Sequence, residues 1–256
     1  MIDSLAIIDP AATLAEGVSI GPYTTVGPDV EIGPGTEIGS HNVLKGPMKI
    51  GANNTILQFC TLGEGSPDLK YKGEPTTLII GDNNVIREGV TMHRGTIQDN
   101  SQTTVGSHNL FMAYAHVGHD SAVGNHCIIA NNSSLAGHCT MGDWAILSGM
   151  SGVHQYGSVG EHAFIGAYTY IDKDVPAYVM AQGIPAKPRA INVEGLRRRD
   201  IQESDIQALV VAFKTLYKRK LTLKEALETI TEQANDSEKV AVFLKSITES
   251  RRQIIR

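Results

Sequence analysis

The sequence predicts a mainly β protein, a parallel β-helix of hexapeptide repeats followed by a small C-terminal α-helical domain. Three observations predict it. An aliphatic residue recurs at every sixth position over two long runs. Glycine very often follows it at once, as in Ile20-Gly21, Val26-Gly27, Ile32-Gly33, Val117-Gly118 and Ile165-Gly166. Towards residue 194 the six-residue period gives way to helical spacing. A six-residue period fits neither an α-helix nor one long strand; it marks stacked repeats, each a short strand plus a corner.

The first run reads Ile8, Leu14, Ile20, Val26, Ile32, Ile38, Leu44, Ile50, Ile56, Leu62. Three hexapeptides make one coil of a triangular prism, with the aliphatic pointing inward from each flat face. Corners fall where Gly, Asn, Asp and Ser cluster, as in Gly51-Ala52-Asn53-Asn54 and Gly81-Asp82-Asn83-Asn84. There the backbone must enter left-handed conformations. Residues 64–77 (EGSPDLKYKGEPTT) break the period with a polar stretch holding two prolines. After Ile80, Ile86 and Met92, residues 98–104 (QDNSQTT) break it again. Loops that leave a regular scaffold gather function. We read the first in that way and the second as a tolerated surface insertion. The register then holds from Val105 through Phe111, Val117, Val123 and Ile129 to Ile171.

The tail follows helical rules. Ile206, Leu209, Val210, Phe213, Leu216 and Tyr217 share a helix face, with Ser204 as the expected N-cap. Thr222-Leu223-Lys224-Glu225 is a capping box that opens a second helix. Asp236 or Ser237 caps a third, with Val240, Phe243, Leu244 and Ile247 on one face. The expected domains are therefore 1–190 for the repeats and 191–256 for the helices. The helical part covers one end of the prism or packs on a neighbour, because the last coil would otherwise expose its core.

At 256 residues the chain can bury a sizeable core. Aromatics at only 5% suit thin repeated layers better than a core built on large rings. A net charge of -5 argues against a general nucleic-acid binder. No stretch is apolar for long enough to span a membrane, and the N-terminus MIDSLAIIDP lacks a signal sequence, so a cytoplasmic location is expected. Cys60, Cys127 and Cys139 lack metal-type clustering and read as small space-filling residues in a reducing compartment.

The densest chemistry lies in Ala115-His116-Val117-Gly118-His119-Asp120. Val117 points inward, so His116 and His119 project away from the core. A histidine is the natural general base near neutral pH, and an adjacent carboxylate fixes its tautomer. His138 lies about one coil beyond His119 and is expected to stack close above it, with His154 near a third level. The plainer reading is also available. His41, His108, His126, His138 and His162 each stand three residues after an inward aliphatic, a corner where an imidazole can simply cap a turn. We take that reading for His41, His108, His126 and His162, and the chemical one for His119 and His138. A zinc site is the other sharp possibility, but His116-x-x-His119 with His138 is a poor ligand spacing on a β-helix. No metal is expected.

Several segments together carry a close resemblance. They are DLKYKGEPT (68–76), IREGVTMHRGT (86–96), HVGHDSAVGNHCIIANN (116–132), LAGH (135–138), VHQY (153–156), DVPAYV (174–179) and NVEGLRRR (192–199). The chain resembles the bacterial acyl-carrier-protein-dependent UDP-N-acetylglucosamine O-acyltransferases of lipid A biosynthesis, over essentially its whole length. The resemblance implies a left-handed coil, although parallel crossovers are normally right-handed. It also implies a homotrimer with a cleft between each pair of prisms.

In site terms the resemblance implies that His119 takes the proton from the glucosamine 3-hydroxyl, that Asp120 orients it, and that the Gly137 N–H holds the oxyanion. Such a donor contributes about 3–4 kcal/mol to a barrier. Asp68, Lys70, His116 and His138 would hold the sugar. Gln155, with His154 beside it, would lie near the nucleotide and diphosphate. Asn192 and Glu194 would meet the uridine, and Arg198 and Arg199 phosphate. The basic run would also receive the acidic carrier protein. Ala167 aligns with the residue that limits acyl length. No cofactor is implied, since the (3R)-3-hydroxyacyl donor arrives on the phosphopantetheine of acyl carrier protein.

Four other readings stay open: a sister N-acyltransferase, a zinc-dependent carbonic anhydrase, a non-catalytic scaffold, and a 3-amino acceptor sugar. The first usually carries an extra N-terminal domain, for which a repeat beginning by Ile8 leaves no room.

Overall fold

The computed structural model describes residues 1–256, and the sixfold register becomes three sheets of nine, eight and ten strands, parallel except for the last pair of the ten-stranded one. Most strands are two residues long, and each pairs with the strand one coil away, as Thr25 with Val43 and His116 with Ser134. The sixth-position aliphatics fill the interior: Leu44, Met92, Val117 and Leu135 are buried.

A second inward column stands two residues before each aliphatic. It is made of small or amide side chains such as Asn54, Asn84, Asn109, Cys127 and Cys139. These tie coil to coil: Asn84 N donates to Asn54 Oδ1 (2.9 Å), Asn109 N to Asn84 Oδ1 (2.9 Å) and Cys127 N to Asn109 Oδ1 (2.7 Å). A buried amide costs free energy unless bonded, so the ladder satisfies groups that water cannot reach. Burial raises the Cys60 and Cys139 thiols to about 11 and Cys127 to about 12. All three are protonated, free and inert, as space-filling residues should be.

The corners fall three residues after the aliphatics. His41, His108, His126, His138 and His162 all have φ between 55° and 61°. This left-handed conformation is unfavourable for non-glycine residues, and here ring stacking accompanies it. His108 lies on His126 (4.8 Å between centroids), His126 on Trp144 (4.0 Å), Trp144 on His162 (6.1 Å) and His162 on Tyr178 (5.5 Å). His41, His108, His126 and His162 do stand at corners, but their rings stack on neighbouring aromatics instead of capping the turns, His41 lying between Tyr23 and Phe59 and His162 Nδ1 meeting Arg199.

Three expectations need correction. The second interruption is 94–101, because Gln102–Val105 pairs as a strand with Thr77–Ile80. Beyond the last coil, Val179–Gln182 turns back antiparallel on Lys187–Ile191, a hairpin that the period does not announce. Ser204 is not an N-cap: the helix Glu203–Tyr217 is preceded by Gln202, whose side chain makes no capping bond.

The helices are α1 (Val193–Arg197), α2 (Glu203–Tyr217), α3 (Leu223–Ala234) and α4 (Glu238–Thr248). The Thr222–Glu225 capping box is present, and Ser237 caps α4. They close the C-terminal end of the prism. Ala177 N donates to Ser246 Oγ, and Asp174 Oδ2 accepts from Ser250 Oγ and Arg251 N. No helix is long and apolar enough to cross a membrane.

Candidate active site

His119 and Asp120 form the corner that follows Val117 on the nine-stranded sheet. His119 Nδ1 lies 2.8 Å from Asp120 Oδ2. The carboxylate also accepts from Thr96 N (2.8 Å) and Thr96 Oγ1 (2.7 Å), and its side chain is wholly enclosed. The Asp120 N–H donates to Thr103 Oγ1. A carboxylate so placed only accepts, so the ring proton sits on Nδ1 and Nε2 is left as the basic atom. Nε2 has no partner in the chain. The imidazole retains 8% exposure, enough to be reached at one edge.

Gly137 stands directly over that ring. A Cβ there would lie 2.5 Å from His119 Cε1 and Nε2, so only glycine lets the backbone approach this closely. Its φ is not in the left-handed region, which makes the constraint purely steric. The Gly137 N–H makes no hydrogen bond within the chain.

The expected three-histidine column is not formed. Strand pairs are eighteen residues apart here, which puts Gly137 over His119 and His138 over Asp120. His138 N donates to the His119 carbonyl (2.8 Å), and the two rings meet edge-on at 4.9 Å. His138 stacks on Tyr156 (4.3 Å), and its Nδ1 is 2.7 Å from Asp99 Oδ2. His154 falls over Ala136, in another column, with Nδ1 on the Gln155 carbonyl and its ring against Tyr170. Gln155 O also accepts from Arg252.

His116 is the outward neighbour of Val117. Its Nδ1 is 2.8 Å from Thr91 Oγ1, and its ring meets His93 edge-on. Burial, reinforced by the nearby His93 and His119 rings, pushes its pKa down to about 4. It is therefore neutral at pH 7 and serves as a hydrogen-bonding group rather than a charge.

The remaining expected residues lie elsewhere on the chain. Asp68 and Lys70 are in the first loop, where Asp68 Oδ1 accepts from Lys70 N. Arg94 anchors that loop, bonding the Gly46 carbonyl and the Tyr71 hydroxyl (3.1 Å). Asn192 is buried and acts as the N-cap of α1: Oδ1 accepts from Gly195 N and Nδ2 donates to the His162 carbonyl. Glu194 pairs with Arg197 (3.1 Å). Arg198 is exposed. Arg199 reaches His162 Nδ1 (3.1 Å), with its guanidinium 4.9 Å from the Trp144 ring centre. This group sits at the corner after the eight-stranded sheet, whereas His119 sits at the corner after the nine-stranded one. One chain does not bring the two sets together. Ala167 is exposed beside Tyr168 at the third corner.

Sequence reasoning missed Thr96, Asp99, Tyr71 and Arg94. All but Tyr71 belong to segments flanking or inside the shorter interruption, where no period speaks for them. His119, Asp120 and His138 do place ligand-type atoms within 4.8 Å of one another. Both Asp120 oxygens already accept hydrogen bonds, and both imidazole Nδ1 atoms face carboxylates. That donor set suits proton handling better than a metal ion.

Comparison with known proteins gives a consistent family. Residues 174–255 match the model described as UDP N-acetylglucosamine O-acyltransferase, domain 2. Residues 11–46 and 102–137 match the bacterial transferase hexapeptide model. The chain is 57% identical to the acyl-[acyl-carrier-protein]–UDP-N-acetylglucosamine O-acyltransferase of Stutzerimonas stutzeri, over 100% of this chain and 99% of that one. Among solved structures, LpxA from Acinetobacter baumannii is 48% identical with a TM-score of 0.97, covering 100% and 99% of the two chains. UDP-N-acetylglucosamine O-acyltransferase from Moraxella catarrhalis is 42% identical with a TM-score of 0.98, at the same coverage.

Proposed function

Because the chain belongs to the acyl-[acyl-carrier-protein]–UDP-N-acetylglucosamine O-acyltransferase family, we propose that it transfers a (3R)-3-hydroxyacyl chain from acyl carrier protein to the 3-hydroxyl of UDP-N-acetylglucosamine, the first step of lipid A biosynthesis. The observation that carries the mechanism is the His119–Asp120 pair: Nδ1 held 2.8 Å from the carboxylate and an unpartnered Nε2 close under the Gly137 backbone. His119 Nε2 removes the hydroxyl proton, and the oxygen attacks the thioester. The Gly137 N–H, free within the chain, is the oxyanion donor, and the protonated imidazole returns its proton to the leaving sulfur.

No covalent acyl-enzyme is formed. The three thiols are buried and protonated, and the nearby Ser121 hydroxyl is occupied on the Ala136 carbonyl (2.9 Å). A thioester is already activated, so one base and good positioning suffice.

The active unit is a homotrimer in the cytoplasm. The support is geometric: the base lies on one prism edge and the Asn192–Arg199 segment on another, so a threefold arrangement can set one against the other across a protomer boundary. Asp68, Lys70, His116 and His138 hold the sugar, with His154 and Gln155 near the diphosphate. Asn192, Glu194, Arg198 and Arg199 reach the nucleotide from the neighbouring protomer, and Arg197–Arg199 also meet the carrier protein. No metal or other cofactor takes part.

The test is a transfer assay with UDP-N-acetylglucosamine and acylated carrier protein on wild type and His119→Ala. A loss of at least about a hundredfold is expected, the lower range for removing a general base. Wild-type rates in the variant reject the mechanism.

A further inference from the structure

We propose that Asp99 is a positioning residue for the acceptor: it fixes the tautomer and plane of His138, and through that ring holds the sugar. This rests on the reading of His138 as a sugar-binding residue given above. The segment 94–101 leaves the prism after His93 and returns at Gln102. On its way it touches the site twice. Thr96 donates two hydrogen bonds to Asp120, and Asp99 Oδ2 lies 2.7 Å from His138 Nδ1. One short strap therefore spans two imidazole–carboxylate pairs, His119 with Asp120 and His138 with Asp99.

The chemistry of the second pair is specific. The Asp99 carboxylate only accepts, so Nδ1 of His138 carries a proton and Nε2 is the atom turned to the site, 3.8 Å from Asp120 Oδ2. Tyr156 stacks on the ring at 4.3 Å and the His119 ring meets it edge-on. Stacking sets the plane, and the carboxylate sets which nitrogen faces inward. The His138 side chain is 5% exposed, whereas that of Asp99 is 33% exposed. A loop carboxylate thus reaches in to a buried ring, and that is the one hydrogen bond its side chain makes. Removing it leaves the coil ladder and the core untouched and frees the ring to exchange tautomers.

Steady-state assays with UDP-N-acetylglucosamine as the varied substrate compare wild type, Asp99→Ala, Asp99→Asn, His138→Ala and the Asp99→Ala/His138→Ala double variant. Asp99→Ala is expected to raise the acceptor KM about tenfold with kcat changed by less than about twofold, the pattern of lost ground-state binding through a charge-assisted hydrogen bond. Asp99→Asn keeps an acceptor oxygen and shows a smaller rise. The double variant is no worse than His138→Ala alone, because the carboxylate acts only through the ring. An unchanged KM in Asp99→Ala, or the same factor lost when His138 is already absent, overturns the proposal. His119→Ala in the same series keeps the two ideas apart. A slow His119→Ala with a normal Asp99→Ala sinks the positioning role alone, and a fast His119→Ala sinks the base.

Discussion

Substituting Gly137 by alanine keeps the peptide N–H and tests the close approach of this backbone to the His119 ring. The added Cβ falls 2.5 Å from two atoms of the His119 ring. Carbon atoms rest at about 3.5 Å or more, so ring or backbone must retreat by about 1 Å. A ring displaced by about 1 Å cannot keep both its 2.8 Å bond to Asp120 and the place of Nε2. The ring cannot escape towards His138, whose edge-on contact closes that side. A misplacement of about 1 Å in a catalytic group costs about a hundredfold in rate, and that is the loss expected in kcat/KM for Gly137→Ala. Gly149→Ala is the control, since its Cβ would meet only Asn131 O at an ordinary 3.4 Å. Both variants are assayed for transfer and for thermal unfolding. A Gly137→Ala enzyme within about fivefold of wild type would show that the close approach does not hold the base in place.

Two further outcomes are expected. Burial, with its neighbouring imidazoles, holds His116 down to about 4, and burial together with Arg199 does the same for His162. Unfolded histidines titrate near about 6.5, so the unfolded chain binds more protons between the two values; stability is complete above about 6.5 and is lost as pH falls towards 4. Urea midpoints at fixed protein concentration should drop across that window, less so in His162→Gln, and a midpoint that rises on acidification contradicts the assignment. The second outcome concerns acyl length. With Ala167 as the ruler, turnover of ten-, twelve- and fourteen-carbon hydroxyacyl carrier proteins should favour a medium chain, and Ala167→Gly should shift the preference longer. A clear wild-type preference for the longest chain rejects the ruler.

The prism was legible because its signal repeats: every coil restates which residue faces in, so Val117 and the corner histidines could be placed from spacing alone. The same arithmetic slipped by one residue at the site. His119 and His138 are nineteen apart, and that single residue moves His138 onto Asp120 and puts a bare peptide over the His119 ring. Thr96 and Asp99 were not legible at all. They come from a segment outside the period, and a polar loop closing over a corner looks the same in sequence as one that waves in water. The final hairpin was hidden for a related reason: Val179–Gln182 still follows the coil by pairing with Phe164–Ile165, and only its partner reverses direction.

The asparagine ladder crosses both interruptions without a missing rung. Asn54 bonds Asn84 and Asn84 bonds Asn109, although thirty and twenty-five residues separate them instead of eighteen. Each excursion therefore leaves and re-enters the tube at the same point on its circumference. Such segments are grafts on a continuous trunk, whose rungs do not run through them. The wall stays continuous where the excursions branch, yet the shorter one fastens Thr96 to Asp120 and Asp99 to His138, so exchanging it would loosen the carboxylate that the wall alone does not hold.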